Sequence, residues 1–264
     1  MFSKLTEAQK QFFETGRTRD LAFRICQLQL LADAMRKNET VLEEALKKDL
    51  GKSAFESYAT EIGFVLADIR YTIQNLQKWS APKRVRTPLY LFPGKSKIQK
   101  EPYGSVLILG PYNYPVQLLA EPLVGAIAAG NCAVLKPSEL TPHVSEAMYQ
   151  IVHSTFKEEY IACVEGGVEV NQELLSQKFD YIFFTGSNQE HAHMENVLQE
   201  LEGERRRYES GSRKSDAGDI GIRWKKSGYY RKNCKYKRGS KKNCVGKTHE
   251  CGTDLCGAGL CACG

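Results

Sequence analysis

Four short apolar runs between Ser105 and Phe184 constrain this chain more than any other feature in it. They are Ser105-Val-Leu-Ile-Leu109, Cys132-Ala-Val-Leu135, Ile161-Ala-Cys-Val164 and Tyr181-Ile-Phe-Phe184, and helical periodicity fills the gaps over about Val116 to Ala129, His143 to His153 and Asn171 to Ser176. Runs this short, with no polar alternation, read as strands buried on both faces. Such strands joined by helices make an α/β fold, a parallel sheet with right-handed crossovers. Ligands of such sheets bind beyond the carboxyl ends of the strands.

Residues 1–80 read as helices. Leu21, Ile25, Leu28 and Ala32 recur at helical spacing after Thr18, a candidate N-cap. A second helix spans Asn38 to Leu50 and stops at Gly51, and a third runs from about Phe55 to Trp79 with Ile62, Leu66, Ile69, Ile73 and Leu76 on one face. From Thr87 to Lys100, Pro88, Pro93 and Gly94 interrupt short apolar pieces, as in an exposed hairpin or arm. Cys26, Cys132 and Cys163 fall on these helices and strands and are expected to be ordinary core thiols.

The charge is unevenly spread. The chain has 264 residues and a net charge of +6, but residues 205–264 alone carry 16 Lys+Arg against 5 Asp+Glu, leaving −5 for residues 1–204. That tail holds six of the nine cysteines and only five Ile, Leu or Val, too few to bury a core. It is expected to be irregular. No apolar stretch approaches the roughly 20 residues that span a bilayer, and residues 1–24 lack a signal-peptide core. A cytoplasmic location, without a membrane span, is the expectation.

Unusual residues collect at the strand ends. In Gly110-Pro-Tyr-Asn-Tyr-Pro115, Asn113 could donate its side-chain amide to a developing oxyanion, or simply stabilise the turn. In Lys136-Pro-Ser-Glu139, Lys136 and Glu139 could bracket a ribose, or the segment could start a helix with Ser138 as cap. In Phe184-Thr-Gly-Ser187, the glycine permits close backbone approach to a pyrophosphate. Neither GxGxxG nor GxxxxGK[ST] is present.

Together these turns are more specific than any one alone. Glu101-Pro-Tyr-Gly104, Gly110-Pro-Tyr-Asn-Tyr-Pro115, Gly125-Ala-Ile-Ala-Ala-Gly-Asn131, Leu135-Lys-Pro-Ser-Glu139 and Phe184-Thr-Gly-Ser187 occur in an order and spacing that resembles the aldehyde dehydrogenase superfamily. The resemblance is strongest to its class 3 branch, also through Thr87-Pro-Leu-Tyr-Leu-Phe-Pro-Gly-Lys95. It covers residues 1–187 and implies N-terminal helices, an incomplete Rossmann-like NAD(P)-binding domain, an oligomerisation arm near residues 83–100 and a homodimer. It also implies oxidation of an aldehyde to a carboxylate with NAD or NADP. By position, Asn113 resembles the family's oxyanion donor, Lys136 and Glu139 its adenosine-ribose contacts, and Gly186 and Ser187 its diphosphate contacts. Gly110, Pro111, Tyr112 and Gly167 complete the implied cofactor-binding set.

The family places its catalytic Glu in E-L-G-G-K-S-P and its nucleophilic Cys in G-Q-x-C, and neither motif occurs here. The tail instead fits a shifted reading frame. Back-translating Gly221 to Arg231 with permitted codons and starting one nucleotide later yields E-L-G-G-K-S-P, and the same offset from Tyr208 to Gly264 permits a family segment containing G-Q-T-C. The bases for that Cys straddle Leu255 and Cys256, so Cys256 is not assigned as nucleophile. The expectation is a chain that has lost both catalytic segments, with a non-native tail over 188–264 and no decoding for 188–207. A residual nucleotide-binding module is the alternative. A zinc or nucleic-acid function for Cys234, Cys244, Cys251, Cys256, Cys261 and Cys263 has little support, because they contain no C-x2-C pair. Neither a metal nor a nucleic-acid partner is expected.

Overall fold

A computed structural model of the chain describes residues 2–186 and the strands Gly221–Lys226 and Tyr229–Tyr230. Ser187, residues 188–207 and the six tail cysteines lie outside the described residues.

Helix α1 spans Ser3–Glu14 and α2 spans Leu21–Lys37. The cap of α2 is Asp20, whose carboxylate accepts from Ala22 N and Phe23 N. Thr18, expected in that role, is buried within a 3-10 turn at Arg17–Arg19. Helix α3, Glu39–Leu50, ends at Gly51, where φ is 68°, a conformation that favours glycine.

The helix expected from Phe55 to Trp79 has three parts: α4 at Ala54–Ser57, a π-turn at Tyr58–Ile62, and α5 at Gly63–Ser80. The π-turn adds a residue to one turn and so changes which side chains face inward. It brings Glu61 into the interior, fully buried beside Ile62 and Val65.

The arm opens with β1, Lys83–Val85, paired antiparallel to β2, Ser96–Ile98. The six-stranded sheet follows, built from β3 (Ser105–Leu109), β4 (Cys132–Lys136), β5 (Ile161–Cys163), β6 (Tyr181–Thr185), β7 (Gly221–Lys226) and β8 (Tyr229–Tyr230). Its order is β5-β4-β3-β6-β7-β8, with all neighbours parallel except β7 and β8. Strands β7 and β8 lie within the tail, so the irregularity expected there does not extend to these residues.

The crossovers are α6 (Gln117–Ala129), α7 (Pro142–Thr155) and α8 (Val168–Ser176). Both sheet faces are buried. Val106 and Ile108 of β3 pack with α2, α3, α5, α6 and α7 on one side, while Leu107 and Leu109 pack with Leu174 and Leu175 of α8 on the other. This double burial explains why the strands read as unbroken apolar runs. Gln9 of α1 ties the strands together at their start: its Nε2 donates to Ala133 O at 2.9 Å, and Ser105 Oγ donates to its Oε1 at 2.6 Å.

Two expectations need correction. Ser138 does not cap α7; its hydroxyl accepts from Leu140 N, and the first amides of α7 are capped by Asp49 of α3, which accepts from His143 N at 3.3 Å and Val144 N at 2.9 Å. A carboxylate there also complements the helix dipole. Cys26 is exposed on the outer side of α2, whereas Cys132 and Cys163 are buried as expected. Among the described residues no helix is long and apolar enough to cross a membrane.

Candidate functional site

The chain leaves β3 for β4 and β5 on one side, then returns to β6 on the other side of β3. This reversal makes the carboxyl ends of β3 and β6 a topological switch point, where open α/β sheets receive ligands. The register aligns the ends: Leu109 pairs with Lys136 on one side and with Phe184 on the other. Gly110, Lys136 and Gly186 therefore emerge at one edge of the sheet.

At the end of β3, Gly110 N donates to Lys136 O at 3.0 Å, and a Cβ on Gly110 would lie 3.0 Å from Leu119 Cδ1 of α6. Tight approach of the turn to the helix thus favours glycine. Pro111 is half-buried, and Tyr112 and Asn113 are exposed. Asn113 Oδ1 accepts from Tyr114 N at 3.0 Å, which orients the side chain, while its Nδ2 makes no hydrogen bond among the described residues. The amide is therefore held by its oxygen with its donor free.

Two residues that sequence patterns did not single out fix this turn. Lys52 Nζ donates to Asn113 O at 3.0 Å and to Glu61 Oε1 at 2.6 Å, and it lies 4.1 Å from the centroid of the Tyr114 ring. The other carboxylate oxygen of Glu61 accepts from Val116 N at 2.8 Å and Gln117 N at 3.2 Å. The pair is buried, but each charge has several partners, as burial requires. Glu61 fills the anion position at the start of α6, where other nucleotide folds place a phosphate. A phosphate at this site must therefore go elsewhere. The available sequence signal was a carboxylate next to Ile62, on the apolar side of a helix.

At the end of β4, Lys136 is 2% exposed. Its Nζ donates to Pro137 O at 2.6 Å and to Glu139 Oε2 at 3.2 Å. Burial pushes the Lys136 pKa below its ordinary value, and the nearby Glu139 partly offsets this. Glu139 is partly open to solvent, so the pair presents one buried donor and one accessible acceptor, as a sugar diol needs.

Gly167 precedes α8 beyond β5, two strands from β3, with nothing within 4 Å of where a Cβ would be. Gly166 has φ 141°, and a Cβ there would lie 2.4 Å from Val170 Cγ2. At the end of β6, Thr185 is buried and its Oγ1 lacks a hydrogen-bond partner among the described residues, next to Gly186. The structure thus brings Gly110, Lys136, Glu139 and Gly186 to one edge and leaves Gly167 towards its far end. Ser187 lies outside the described residues.

The aldehyde dehydrogenase family model matches residues 2–212. The chain belongs to the aldehyde dehydrogenase family. The match runs past Ser187 into the undecoded segment. A 4,4'-diaponeurosporen-aldehyde dehydrogenase from Staphylococcus aureus is 53% identical over 178 residues, covering 67% of this chain and 39% of that protein. Human aldehyde dehydrogenase family 3 member B1 is 42% identical, covering 67% of this chain and 38% of that protein. The chain thus spans about two fifths of the relatives it matches. A solved structure of substrate-bound Staphylococcus aureus AldH superposes with a TM-score of 0.74 at 47% identity, covering 76% of this chain and 44% of that one. A betaine aldehyde dehydrogenase from the same species, in complex with NAD+, gives 0.65 at 25% identity, covering 75% and 40%.

A nicotinamide dinucleotide suits the residues present. The buried hydroxyl of Thr185, which has no partner among the described residues, the Lys136 and Glu139 pair, and the open space at Gly167 supply donor, acceptor and room along one sheet edge.

Proposed function

We propose that this chain carries the nucleotide-binding part of an NAD(P)-dependent aldehyde dehydrogenase that oxidises an aldehyde to a carboxylate, and that the chain itself does not complete the reaction. The supporting observation is the alignment of the β3, β4 and β6 ends at the switch point, with the start of α6 already occupied by Glu61.

Lys136 and Glu139 hold the adenosine ribose, with Glu139 accepting from a hydroxyl and Lys136 donating. Gly186 and Ser187 receive the diphosphate, while Gly110, Pro111, Tyr112 and Gly167 line the cofactor's path. Asn113 Nδ2 donates to the substrate oxygen as negative charge develops on it. When bound, the dinucleotide supplies the hydride acceptor. Thiolate attack and thioester hydrolysis need a Cys and a Glu in segments that this chain lacks in frame.

Titration calorimetry of the full chain with NAD+ and NADP+, beside an aldehyde-dependent assay of nicotinamide reduction, tests both parts. Nucleotide heat that Lys136→Met weakens, with no turnover, is the expected result. Absence of heat with both nucleotides refutes the site, and turnover refutes the loss of chemistry. The nucleotide sequence tests the frame: without E-L-G-G-K-S-P at the one-base offset, the frameshift is wrong.

A further inference from the structure

The connections that leave β4 and β5 start side by side. Leu135 pairs with Cys163 in parallel register, and Val164 N donates to Leu135 O at 2.8 Å, so residues 136–141 and 164–167 emerge together at the carboxyl edge of the sheet. These two connections hold one cation, Lys136, and two carboxylates, Glu139 and Glu165. Both carboxylates are exposed, whereas Lys136 is buried.

The lone cation is already countered. Its ammonium commits two of its three hydrogens, to Pro137 O and to Glu139 Oε2. Burial lowers the Lys136 pKa, and the charges of Glu139 and Glu165 both oppose that shift, which places Glu165 within electrostatic reach of the same ammonium. The turn that carries Glu165 has little freedom. Gly166 follows it at φ 141°, and a Cβ there would collide with Val170 Cγ2 of α8. Glu165 is thus held by β5 and α8, independently of Glu139 on the β4 side.

We propose that Glu165 makes this site selective for a dinucleotide whose adenosine ribose carries a free 2′-hydroxyl, and that it turns away one with a 2′-phosphate. The selectivity rests on the ribose-binding role given above to Lys136 and Glu139. A diol brings hydrogens that a carboxylate accepts. A phosphate monoester brings only acceptor oxygens and a charge of about −1.5 to −2 near pH 7. Facing such a group alone, the exposed side chain of Glu139 could swing outward and release Lys136 to it. Glu165 remains on the neighbouring strand, so negative charge stays beside the 2′-position whichever way Glu139 turns. Repulsion by a fixed like charge discriminates between ligands that otherwise make the same contacts. NAD+ rather than NADP+ is then the nucleotide of this chain, and Glu165 is a specificity-determining residue.

Titration calorimetry of the full chain with NAD+ and NADP+, and with 5′-AMP and adenosine 2′,5′-bisphosphate, provides the test in about 0.15 M salt. The basic tail attracts the more highly charged nucleotides most, so it works against the expected preference, and it is the same in every variant. NAD+ should bind at least about tenfold more tightly than NADP+. The two adenosine phosphates should rank in the same order, which locates the discrimination at the ribose. Glu165→Gln should shrink the NAD+ to NADP+ ratio by about fivefold, and Glu165→Arg should erase or reverse it. Both changes should come from tighter NADP+ binding, a gain that a damaged fold does not produce. Equal affinities in the parent, a preference for NADP+, or a ratio that Glu165→Arg leaves unmoved overturns the selectivity and leaves the nucleotide site standing. A preference seen with the dinucleotides but not with the adenosine phosphates overturns it too. Absence of heat with both dinucleotides instead refutes the site itself.

Discussion

Glu61 and Lys52 show how two charges can be retained in an interior that would otherwise reject them. Glu61 is fully buried and accepts from Lys52 and from two amides at the start of α6, while Lys52 also reaches the carbonyl of Asn113. Removing one member leaves the other charge buried without its counterion, which typically costs about 3–5 kcal/mol. Lys52→Met should therefore lower unfolding stability in urea by about that amount. Lys52→Met combined with Glu61→Gln should cost less than the sum of the single changes, since no uncompensated charge remains. Additive losses would show that the two side chains act separately.

The cysteines give a second test at this scale. Burial pushes the Cys132 and Cys163 thiols up to about 12, and Cys26 is exposed. Native iodoacetamide labelling near pH 8, mapped by peptide mass spectrometry, should modify Cys26 and spare the other two. Thiolates react and thiols do not. Because both folded-state values are raised, the folded chain holds protons that the unfolded chain releases above its ordinary thiol value of 9.0. The associated stability is complete below that pH and is lost as pH rises towards 12, so urea midpoints should fall across this window, and fall less steeply in Cys132→Ala with Cys163→Ala, where burial of the Tyr160 hydroxyl, which raises its pKa, still contributes above 10.

Among the elements, α7 is held by a residue far from it in the chain. Asp49 of α3 supplies the carboxylate that its first amides need, and Thr141 at the N-cap position makes no side-chain cap bond. Asp49→Ala should cost about 1–2 kcal/mol in thermal unfolding, whereas Ser138→Ala should stay within about 0.5 kcal/mol. Equal losses would restore Ser138 to the capping role. The case also shows what the sequence could and could not disclose. Strands β3 to β6 were legible within a residue or so because burial on both faces writes itself as an unbroken apolar run. Asn113, Lys136 and Glu139 could be named as candidates because they lie at or within four residues of the ends of those runs. The Asp49 cap was hidden because its partners are 94 and 95 residues away. The π-turn was hidden too, since its extra residue leaves the helical spacing on either side intact, and with it went the inward path of Glu61.

Across the described chain, cohesion and charge divide along the same line. One body, from α1 to β6, is knit by two apolar clusters on the two faces of the sheet, and Gln9 fastens α1 across the strand starts. Among the described residues the arm shares none of that core: its strands pair only with each other, and its cations are exposed. An element that buries nothing against the core contributes little to cooperative unfolding, so its removal should leave stability nearly unchanged. Replacing residues 86–95 by a short Gly-Ser turn should shift the calorimetric midpoint by less than about 2 °C, equivalent to less than about 1 kcal/mol for a domain of this size. The same replacement should leave nucleotide heat unchanged. A midpoint lowered by many degrees would show that the arm is part of the folding unit.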